Sequence, residues 1–290
     1  MNFIRFVKKV FEPKLHILFS FSWSLSLLLI LGLQDDVIHN DYHIIELIVI
    51  PVSFFLVLLF LRMIDEIKDF EYDKVYKPDR PLVTGMVSFK EVRGYCIYTV
   101  VIILLINVLL SWKCSLFLLS IIGYGLFLMV LEKKSKRILD NVFLNLLVTF
   151  PVSSALNFYV IFYIVVIKEY VFTINLLWIV LSYICIFLHF EFGRKTIWPH
   201  LLKEGEKVYA LYIGGIGSAL TALFLCVIGC SILFNYSSSN TWSVIVFLPL
   251  FLNIVAIVLL LKNKKQRINL YSYYGGSLLL YYLITLITSI

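Results

Sequence analysis

The sequence predicts an all-α, polytopic integral membrane protein with nine transmembrane helices. Of its 290 residues, 61% are hydrophobic and only 15% are charged, whereas a soluble domain averages about 25% charged residues. Apolar runs of roughly 20 residues, the length needed to cross about 30 Å of hydrocarbon, recur from one end of the chain to the other. A water-soluble protein is therefore excluded, and residues 1–290 are predicted to form a single membrane domain.

The nine predicted spans lie near residues 16–33, 43–63, 92–112, 114–131, 142–166, 171–190, 208–234, 242–261 and 270–288. The charged amphipathic stretch MNFIRFVKKVFEPK precedes the first span, with no small-residue cleavage site behind it. We interpret it as an interfacial lead-in to a retained helix and not as a signal peptide. Within the spans, Pro51, Pro151 and Pro249 are predicted to kink their helices. The glycines of segment 214–217 are predicted to allow a neighbouring backbone to approach closely.

The loop lengths suggest two similar four-helix units, spans 1–4 and spans 5–8, followed by span 9. The long loops 62–93 and 191–207 follow spans 2 and 6, whereas the short basic loops 132–140 and 262–269 follow spans 4 and 8. We find no sequence identity between the halves, so the predicted repeat depends on the loop pattern alone.

The positive charges are distributed unequally between the two sides of the membrane. With nine spans, 23 of the 25 Lys and Arg residues fall on one side, and only Lys113 and Lys168 fall on the other. The positive-inside rule then places the N-terminus in the cytoplasm and the C-terminus on the opposite side. The net charge of +7 is thus an effect of membrane topology, for which anionic lipid headgroups are the expected partner. Neither a nucleic acid nor a protein partner is indicated.

A dense group of acids follows span 2, in RMIDEIKDFEYDKVYKPDRPL. Asp65, Glu66, Asp69, Glu71 and Asp73 lie within nine residues. If the helix continues, Glu66, Asp69 and Asp73 form a stripe about 60° wide with Asp65 beside it, and a cation is needed to offset their repulsion. Oxygen ligands in a row favour Mg²⁺, which binds one or two carboxylates and is completed by substrate phosphates. The alternative is a solvated acidic helix end.

The second long loop, HFEFGRKTIWPHLLKEGEK, places one acid beside two bases. Glu191 lies at the end of span 6, and Arg194 and Lys195 follow within one turn. The two bases are suited to phosphate oxygens, but the group is equally consistent with a snorkelling pair at a helix end. The short loop after span 4 adds the bases Lys133, Lys134 and Arg137. These bases become candidates only if the loops converge on an anion.

The segment DEIKDFEYDKVYKPDRPLVTG resembles the first aspartate-rich signature of the UbiA family of intramembrane prenyltransferases, NDxxDxxxD followed by (K)P(D/N)RPL. Asp69 and Asp73 match its last two acidic positions, while Asp65 and Glu66 replace the usual Asn-Asp. The family is also nine-helical, with acidic loops after helices 2 and 6 on the cytoplasmic side. Its second signature, DxxxD, is altered here to ExxRK, because Lys195 stands where the second aspartate is expected.

The resemblance implies a UbiA-like bundle that transfers an isoprenyl group from an isoprenyl diphosphate to an apolar or aromatic acceptor with Mg²⁺ as cofactor. It implies Asp65, Glu66, Asp69 and Asp73 as metal ligands, and Asp69, Asp73 and Glu191 as catalytic residues. The implied diphosphate-binding residues are Lys77, Arg80, Lys133, Lys134, Arg137, Arg194 and Lys195. A UbiA-like terpene cyclase is the alternative enzyme. A transporter or a non-catalytic scaffold is the alternative of another class, although transporters place their ionisable sites near the midplane.

Overall fold

The computed structural model describes residues 2–34, 42–236 and 241–289, in which the regular structure is helical. The helices are α1 (Asn2–Val10), α2 (Pro13–Gly32), α3 (Ile44–Lys68), α4 (Phe70–Tyr76), α5 (Phe89–Val108), α6 (Trp112–Lys134), α7 (Lys136–Asp140), α8 (Val142–Phe162), α9 (Ile174–Arg194), α10 (Ala210–Tyr236), α11 (Leu248–Lys262) and α12 (Tyr271–Thr288). A π-helical turn, Tyr163–Ile167, extends α8, and short 3-10 turns precede α10 and α11. The all-α prediction is therefore confirmed.

Eight of the helical segments in the described residues are long and apolar enough to cross a membrane. They correspond to α2, α3, α5, α6, α8, α9, α10 and α11. The chain is thus a multi-pass α-helical membrane protein. The predicted ninth span is present as helix α12, but its sequence YSYYGGSLLLYYLITLIT is rich in tyrosine and glycine, and it is not among the eight. The count of nine spans, and a C-terminus opposite the N-terminus, stay predictions.

The chain divides into two compact units. Unit 1 comprises residues 1–24 and 42–169, and unit 2 comprises residues 25–41 and 170–290. This boundary lies after the fifth predicted span. This division does not test the predicted similarity between spans 1–4 and spans 5–8, because compact units need not be internal repeats.

In unit 1, α1 packs onto the helices that lead to the acidic segment. Phe6, Val7 and Val10 are buried together with Leu59 of α3 and Val92 of α5. The carbonyl of Val10 also accepts a hydrogen bond of 3.0 Å from the side chain of an arginine in α3, Arg62. The lead-in helix thereby fixes the end of α3 from which the acidic segment emerges.

In unit 2, α9 packs against α10 and α12. Gly214 has a φ of +73° and interrupts α10, a conformation that glycine adopts without strain. A Cβ atom at Gly215 would lie 2.8 Å from the carbonyl oxygen of Ile197, so the predicted close backbone approach is confirmed at this position. Pro249 lies in the first turn of α11, where a proline breaks no helical hydrogen bond, and the predicted kink there is wrong.

Candidate functional site

The acidic segment runs through the junction of α3 and α4 in unit 1. Helix α3 ends at Lys68, and Asp69 separates it from α4 with a φ of −88° and a ψ of 7°. The backbone N–H groups of Asp69, Asp73 and Lys77 nevertheless each donate to the carbonyl four residues earlier, at 2.8 Å. The condition that the helix continues through this segment is therefore not met at Asp69, but the hydrogen-bond register of a helix is largely retained.

Two carboxylates of this segment are buried and share one arginine. Glu66 is 1% exposed and Asp73 is 3% exposed. Arg80 Nη1 lies 3.1 Å from Glu66 Oε1, and Arg80 Nε lies 3.8 Å from Asp73 Oδ2. Arg62 also donates to Glu66 Oε1, and Lys77 Nζ lies 3.5 Å from Asp73 Oδ1. The predicted diphosphate ligands Lys77 and Arg80 thus contact the predicted metal ligands.

The other two predicted metal ligands share a lysine with a third carboxylate. Lys68 Nζ lies 3.0 Å from Asp65 Oδ1, 3.9 Å from Asp69 Oδ1 and 2.7 Å from Glu132 Oε2. Glu132, at the end of α6, is buried and accepts a 2.9 Å hydrogen bond from Asn145 of α8. One ammonium group therefore holds three carboxylates together. We call these groups together the acidic cluster. It comprises the carboxylates Asp65, Glu66, Asp69, Asp73 and Glu132 and the cations Arg62, Lys68, Lys77 and Arg80.

The electrostatics of the acidic cluster are shown by Asp69. Partial burial opposes its charged form, and although Lys68 favours that form, the nearby carboxylates of Asp65, Asp73 and Glu132 oppose it as well. The pKa of Asp69 is raised from 3.8 to about 6 as a result. The Asp69 carboxyl group therefore loses its proton nearer to neutral pH than an ordinary aspartate does. A further cation nearby would favour the charged form.

Two carboxylates of the acidic cluster have an oxygen of the type that Mg²⁺ binds in proteins. Glu66 Oε2 and Asp73 Oδ1 are buried without a hydrogen-bond partner, and each lies on a carboxylate whose other oxygen is engaged by Arg80. In the described ranges, no group of three or more His, Cys, Asp or Glu side chains is arranged to hold a metal. Two such carboxylate oxygens suit Mg²⁺, which takes few protein ligands and keeps water or phosphate. They do not suit a closed protein cage.

The acidic cluster opens into a cavity within unit 1. This cavity, of about 150 Å³, lies between α3, α6 and α8. Asp65, Lys68 and Glu132 line its charged part, and the remaining lining is mainly apolar, including Leu128 and Val152. Charged groups thus meet a small apolar chamber at the end of three membrane helices.

The second predicted group is assembled in unit 2 as a compact ion cluster. Glu191 is 8% exposed. Its carboxylate lies 2.6 Å from Arg194 Nε and 2.7 Å from Lys195 Nζ, and it accepts a 3.3 Å hydrogen bond from the Tyr209 hydroxyl. Lys195 Nζ also lies 4.9 Å from the centre of the Tyr209 ring. Glu191 therefore orients both bases, and these three charged residues, which we call the basic cluster, keep one positive charge in excess.

Arg194 and Lys195 of the basic cluster line a cavity of about 470 Å³ within unit 2. Arg267 contributes to the same lining and forms a forked pair with Glu206, at 2.8 and 2.9 Å. Burial and the neighbouring Arg194 lower the pKa of Lys195, although Glu191 acts in the opposite direction. A partly buried cation of this kind gains from an anion that enters the cavity.

The remaining candidates lie apart from these clusters. Lys133, Lys134 and Arg137 are exposed, and among the described residues no ion pair joins them to the acidic or the basic cluster. Lys133 lines a separate apolar groove of unit 1. The predicted role of these three bases in diphosphate binding stays a prediction.

The sequence interpretation missed several residues of the two clusters. Lys68, Glu132 and Asn145 belong to the first, and Tyr209 and Arg267 lie in or beside the second. Glu132 offered one signal, because it is an acid at the start of the otherwise basic segment EKKSKR. Nothing in the sequence indicated which helix it faces.

Comparison with known proteins identifies the fold. No family model matches the sequence, and no curated protein matches it significantly. Among solved structures, the chain is similar to the apo structure of a UbiA homologue from Aeropyrum pernix K1, with a TM-score of 0.68 and 14% identity over 94% of this chain and 96% of that chain. It is also similar to a digeranylgeranylglyceryl phosphate synthase, with a TM-score of 0.64 and 16% identity over 100% and 99% of the two chains. The chain therefore has the UbiA-type fold, as its aspartate-rich segment predicted.

Proposed function

We propose that this protein is an intramembrane prenyltransferase, which moves an isoprenyl group from an isoprenyl diphosphate to an apolar or aromatic acceptor. One observation carries the proposal. Two buried carboxylates, Glu66 at the end of membrane helix α3 and Asp73 in the following helix α4, each retain an oxygen without a hydrogen-bond partner. The UbiA-type fold supports the proposal.

In this proposal, Glu66 and Asp73 hold a Mg²⁺ ion, and Asp69 and Asp65 supply further negative charge beside it. The ion, when bound, stabilises negative charge on the leaving diphosphate. Arg80 keeps the two carboxylates in place through its contacts of 3.1 and 3.8 Å. Lys77 is half-exposed and beside Asp73, where its ammonium group can also meet a phosphate oxygen.

The basic cluster of unit 2 is proposed to bind diphosphate oxygens through Arg194 and Lys195. Glu191 positions both cations and neutralises only one of them. Lys195 cannot ligate a metal, since an ammonium group has no lone pair, but its charge can act directly on a phosphate. The altered second signature is thereby consistent with diphosphate binding that uses a lysine in place of an aspartate-bound ion.

The direct test is turnover with a panel of labelled isoprenyl diphosphates, Mg²⁺ and membrane lipid extract. We expect a labelled prenylated lipid and released diphosphate from wild type, and loss of both with EDTA. Asp73→Asn should also abolish turnover. Its matched control is Glu71→Gln, because Glu71 is 82% exposed and, within the described residues, pairs with Lys74 of its own helix. Undiminished turnover in EDTA, or the absence of turnover with every diphosphate, would contradict the proposal.

A terpene cyclase is the second candidate, and the replacement of the second DxxxD aspartate by Lys195 favours it. In a cyclase, the substrate's own chain captures the allylic cation, so no acceptor is needed. The same incubation without lipid extract separates the two enzymes. A cyclic hydrocarbon formed without acceptor indicates the cyclase, whereas strict dependence on the extract indicates the transferase.

The orientation of the chain is also a proposal. The split of Lys and Arg residues places the loops around Lys77 and Lys203 in the cytoplasm. Single cysteines introduced at these two positions in a cysteine-free background should react with a membrane-impermeant reagent only after the membrane is opened. Labelling of either position from outside intact cells would reverse the proposed orientation.

A further inference from the structure

We propose that unit 1 binds one anionic phospholipid, in a groove that no residue of the acidic cluster lines among those the structure describes. This lateral groove, of about 510 Å³, lies between α3, α5 and α6. Phe60 and Ile64 of α3 contribute to its lining, as do the exposed Ile97 of α5 and the exposed Leu119 and Leu126 of α6. Such a lining suits an acyl chain.

Two cations mark one end of the lateral groove. Among the described residues, Arg93 and Lys133 are the only charged residues of its lining, and both are exposed. Arg93 lies in the first two turns of α5 and Lys133 in the last turn of α6. Neither forms an ion pair within the described part of the chain. The lateral groove therefore has an apolar body and one doubly positive end.

The carboxylates next to these cations in the sequence, Glu91 and Glu132, are engaged by other groups. Glu91 folds back onto the helix start, where its Oε2 accepts bonds of 2.8 Å from the amide and the hydroxyl of Ser88. Glu132 points to Lys68 and Asn145. Because no acid of the lining neutralises Arg93 and Lys133, an anion from outside the chain is the partner that their charges fit.

The dimensions of the lateral groove match a lipid that lies along the bilayer normal. The lining extends from Arg93 to Val101 on α5 and from Lys133 to Leu119 on α6. At 1.5 Å per residue, these distances are about 12 Å and 21 Å, comparable to one leaflet of a hydrocarbon core of about 30 Å. Both cations lie at helix ends on the predicted cytoplasmic side, where basic pockets between membrane helices recognise anionic headgroups.

Charge distinguishes the phospholipid from other occupants of this face. A diphosphate that arrives with Mg²⁺ gains most from carboxylates, and the lateral groove has none. An apolar helix from a second copy would bury Arg93 and Lys133 without partners, which is costly. An anionic phospholipid pairs with both cations and covers the apolar lining at once.

Native mass spectrometry of the detergent-purified protein can test this site. Phosphatidylglycerol and phosphatidylcholine with identical acyl chains serve as probes, and wild type should retain one phosphatidylglycerol in preference. Arg93→Gln/Lys133→Gln should weaken phosphatidylglycerol binding by roughly tenfold to thirtyfold, since each cation near an anionic headgroup contributes to the free energy of binding. Lys90→Gln/Lys134→Gln is the matched control, because it removes two exposed cations from the same helix ends outside the lateral groove. Equal losses in both double variants would overturn the proposal.

A second variant tests the apolar part of the lateral groove. Val100→Trp fills it while keeping both cations, and Ile97→Trp does so from a more exposed position should Val100→Trp fail to fold. Either should abolish the preferred phosphatidylglycerol while the melting temperature stays near that of wild type. Retained binding would show a surface charge effect without a groove. Displacement of the lipid by an isoprenyl diphosphate with Mg²⁺, or a dimer that forms in its place, would also overturn the proposal.

Discussion

The acidic cluster of unit 1 and the basic cluster of unit 2 both pair carboxylates with cations, but they leave opposite charges unmatched. In the described residues, five carboxylates of the acidic cluster meet four cations, and two buried oxygens have no hydrogen-bond partner. In the basic cluster, both oxygens of Glu191 are engaged by two cations and Tyr209. The first arrangement suits an added cation, and the second suits an added anion.

This difference explains why one carboxylate is expected to matter more than the other. Asp73 Oδ1 has no hydrogen-bond partner and faces Lys77 Nζ only at 3.5 Å, so it can still ligate a metal, whereas both Glu191 oxygens are held by close contacts and Glu191 acts through its neighbours. The two clusters also differ in what remains after one carboxylate is lost. Loss of Asp73 removes a ligand, while loss of Glu191 leaves two cations still able to meet phosphate, although less well positioned.

The largest expected effect is that of Asp73→Asn. The amide keeps the shape of the side chain but removes the charge that would hold Mg²⁺, so kcat should fall by at least about a hundredfold, as for the loss of one transition-state-stabilising group. Turnover of a labelled isoprenyl diphosphate measures this loss. Glu71→Gln should stay within about twofold of wild type. Comparable losses in the two variants would show that the acidic segment acts through its total charge and not through a defined site.

A smaller effect is expected from Lys195→Asp in the basic cluster. It removes a proposed phosphate contact and recreates an ExxxD pattern, so KM for the diphosphate should rise by about tenfold, the worth of one charge-assisted contact. Higher Mg²⁺ concentrations should recover part of the loss. Titration of Mg²⁺ against activity in wild type, Lys195→Asp and the control Lys203→Gln distinguishes these cases. An unchanged KM and an unchanged Mg²⁺ curve in Lys195→Asp would mean that Lys195 does not meet the diphosphate.

Glu191→Gln should be milder than Asp69→Asn in the same turnover assay. The amide introduced by Glu191→Gln still accepts a bond from one of the two cations, whereas Asp69→Asn removes negative charge beside the proposed metal. Parallel kcat measurements on the two variants make this comparison. A greater loss in Glu191→Gln would indicate that the basic cluster, and not the acidic cluster, is the catalytic centre.

The smallest effect is on stability and depends on pH. Asp69 has a folded pKa of about 6, above its ordinary value of 3.8, so above pH 6 the folded protein keeps this carboxylate charged at a cost that the unfolded chain lacks. Asp69→Asn should therefore raise the melting temperature by about 1–3 °C at pH 8, and the gain should shrink at pH 4.5. Thermal unfolding in detergent measures it, with Glu71→Gln as control. A gain in melting temperature that increased as the pH fell would contradict a raised pKa of Asp69 in the folded protein.

The sequence predicted the features that depend on local composition. The eight spans were located because a run of about 20 apolar residues is a sufficient cause for a membrane helix. The acidic segment was singled out because its charge contradicts the positive-inside trend around it. Glu191, Arg194 and Lys195 were grouped because the spacing of three and four residues places them on one helix face.

Features that depend on contacts between distant residues could not be predicted in this way. Lys68 forms an ion pair with Glu132, and Glu132 accepts a hydrogen bond from Asn145. Both contacts depend on the packing of α3, α6 and α8, which no local sequence pattern encodes. The interruption at Asp69 was also missed, because a run of charged residues without Gly or Pro contains no local helix-breaking signal. Pro249 was placed inside a helix because the apolar run continues across the start of α11.

Binding of Mn²⁺ as a spectroscopic substitute for Mg²⁺ tests the central claim most directly. Electron paramagnetic resonance of the purified protein can count bound Mn²⁺ with and without a non-hydrolysable isoprenyl diphosphate analogue. With two carboxylates as ligands and phosphate completing the shell, the account predicts tight Mn²⁺ binding only when the analogue is present, and its loss in Asp73→Asn but not in Glu71→Gln. Binding that is equally tight without the analogue, or that persists in Asp73→Asn, would contradict the assignment of Glu66 and Asp73 as the metal site.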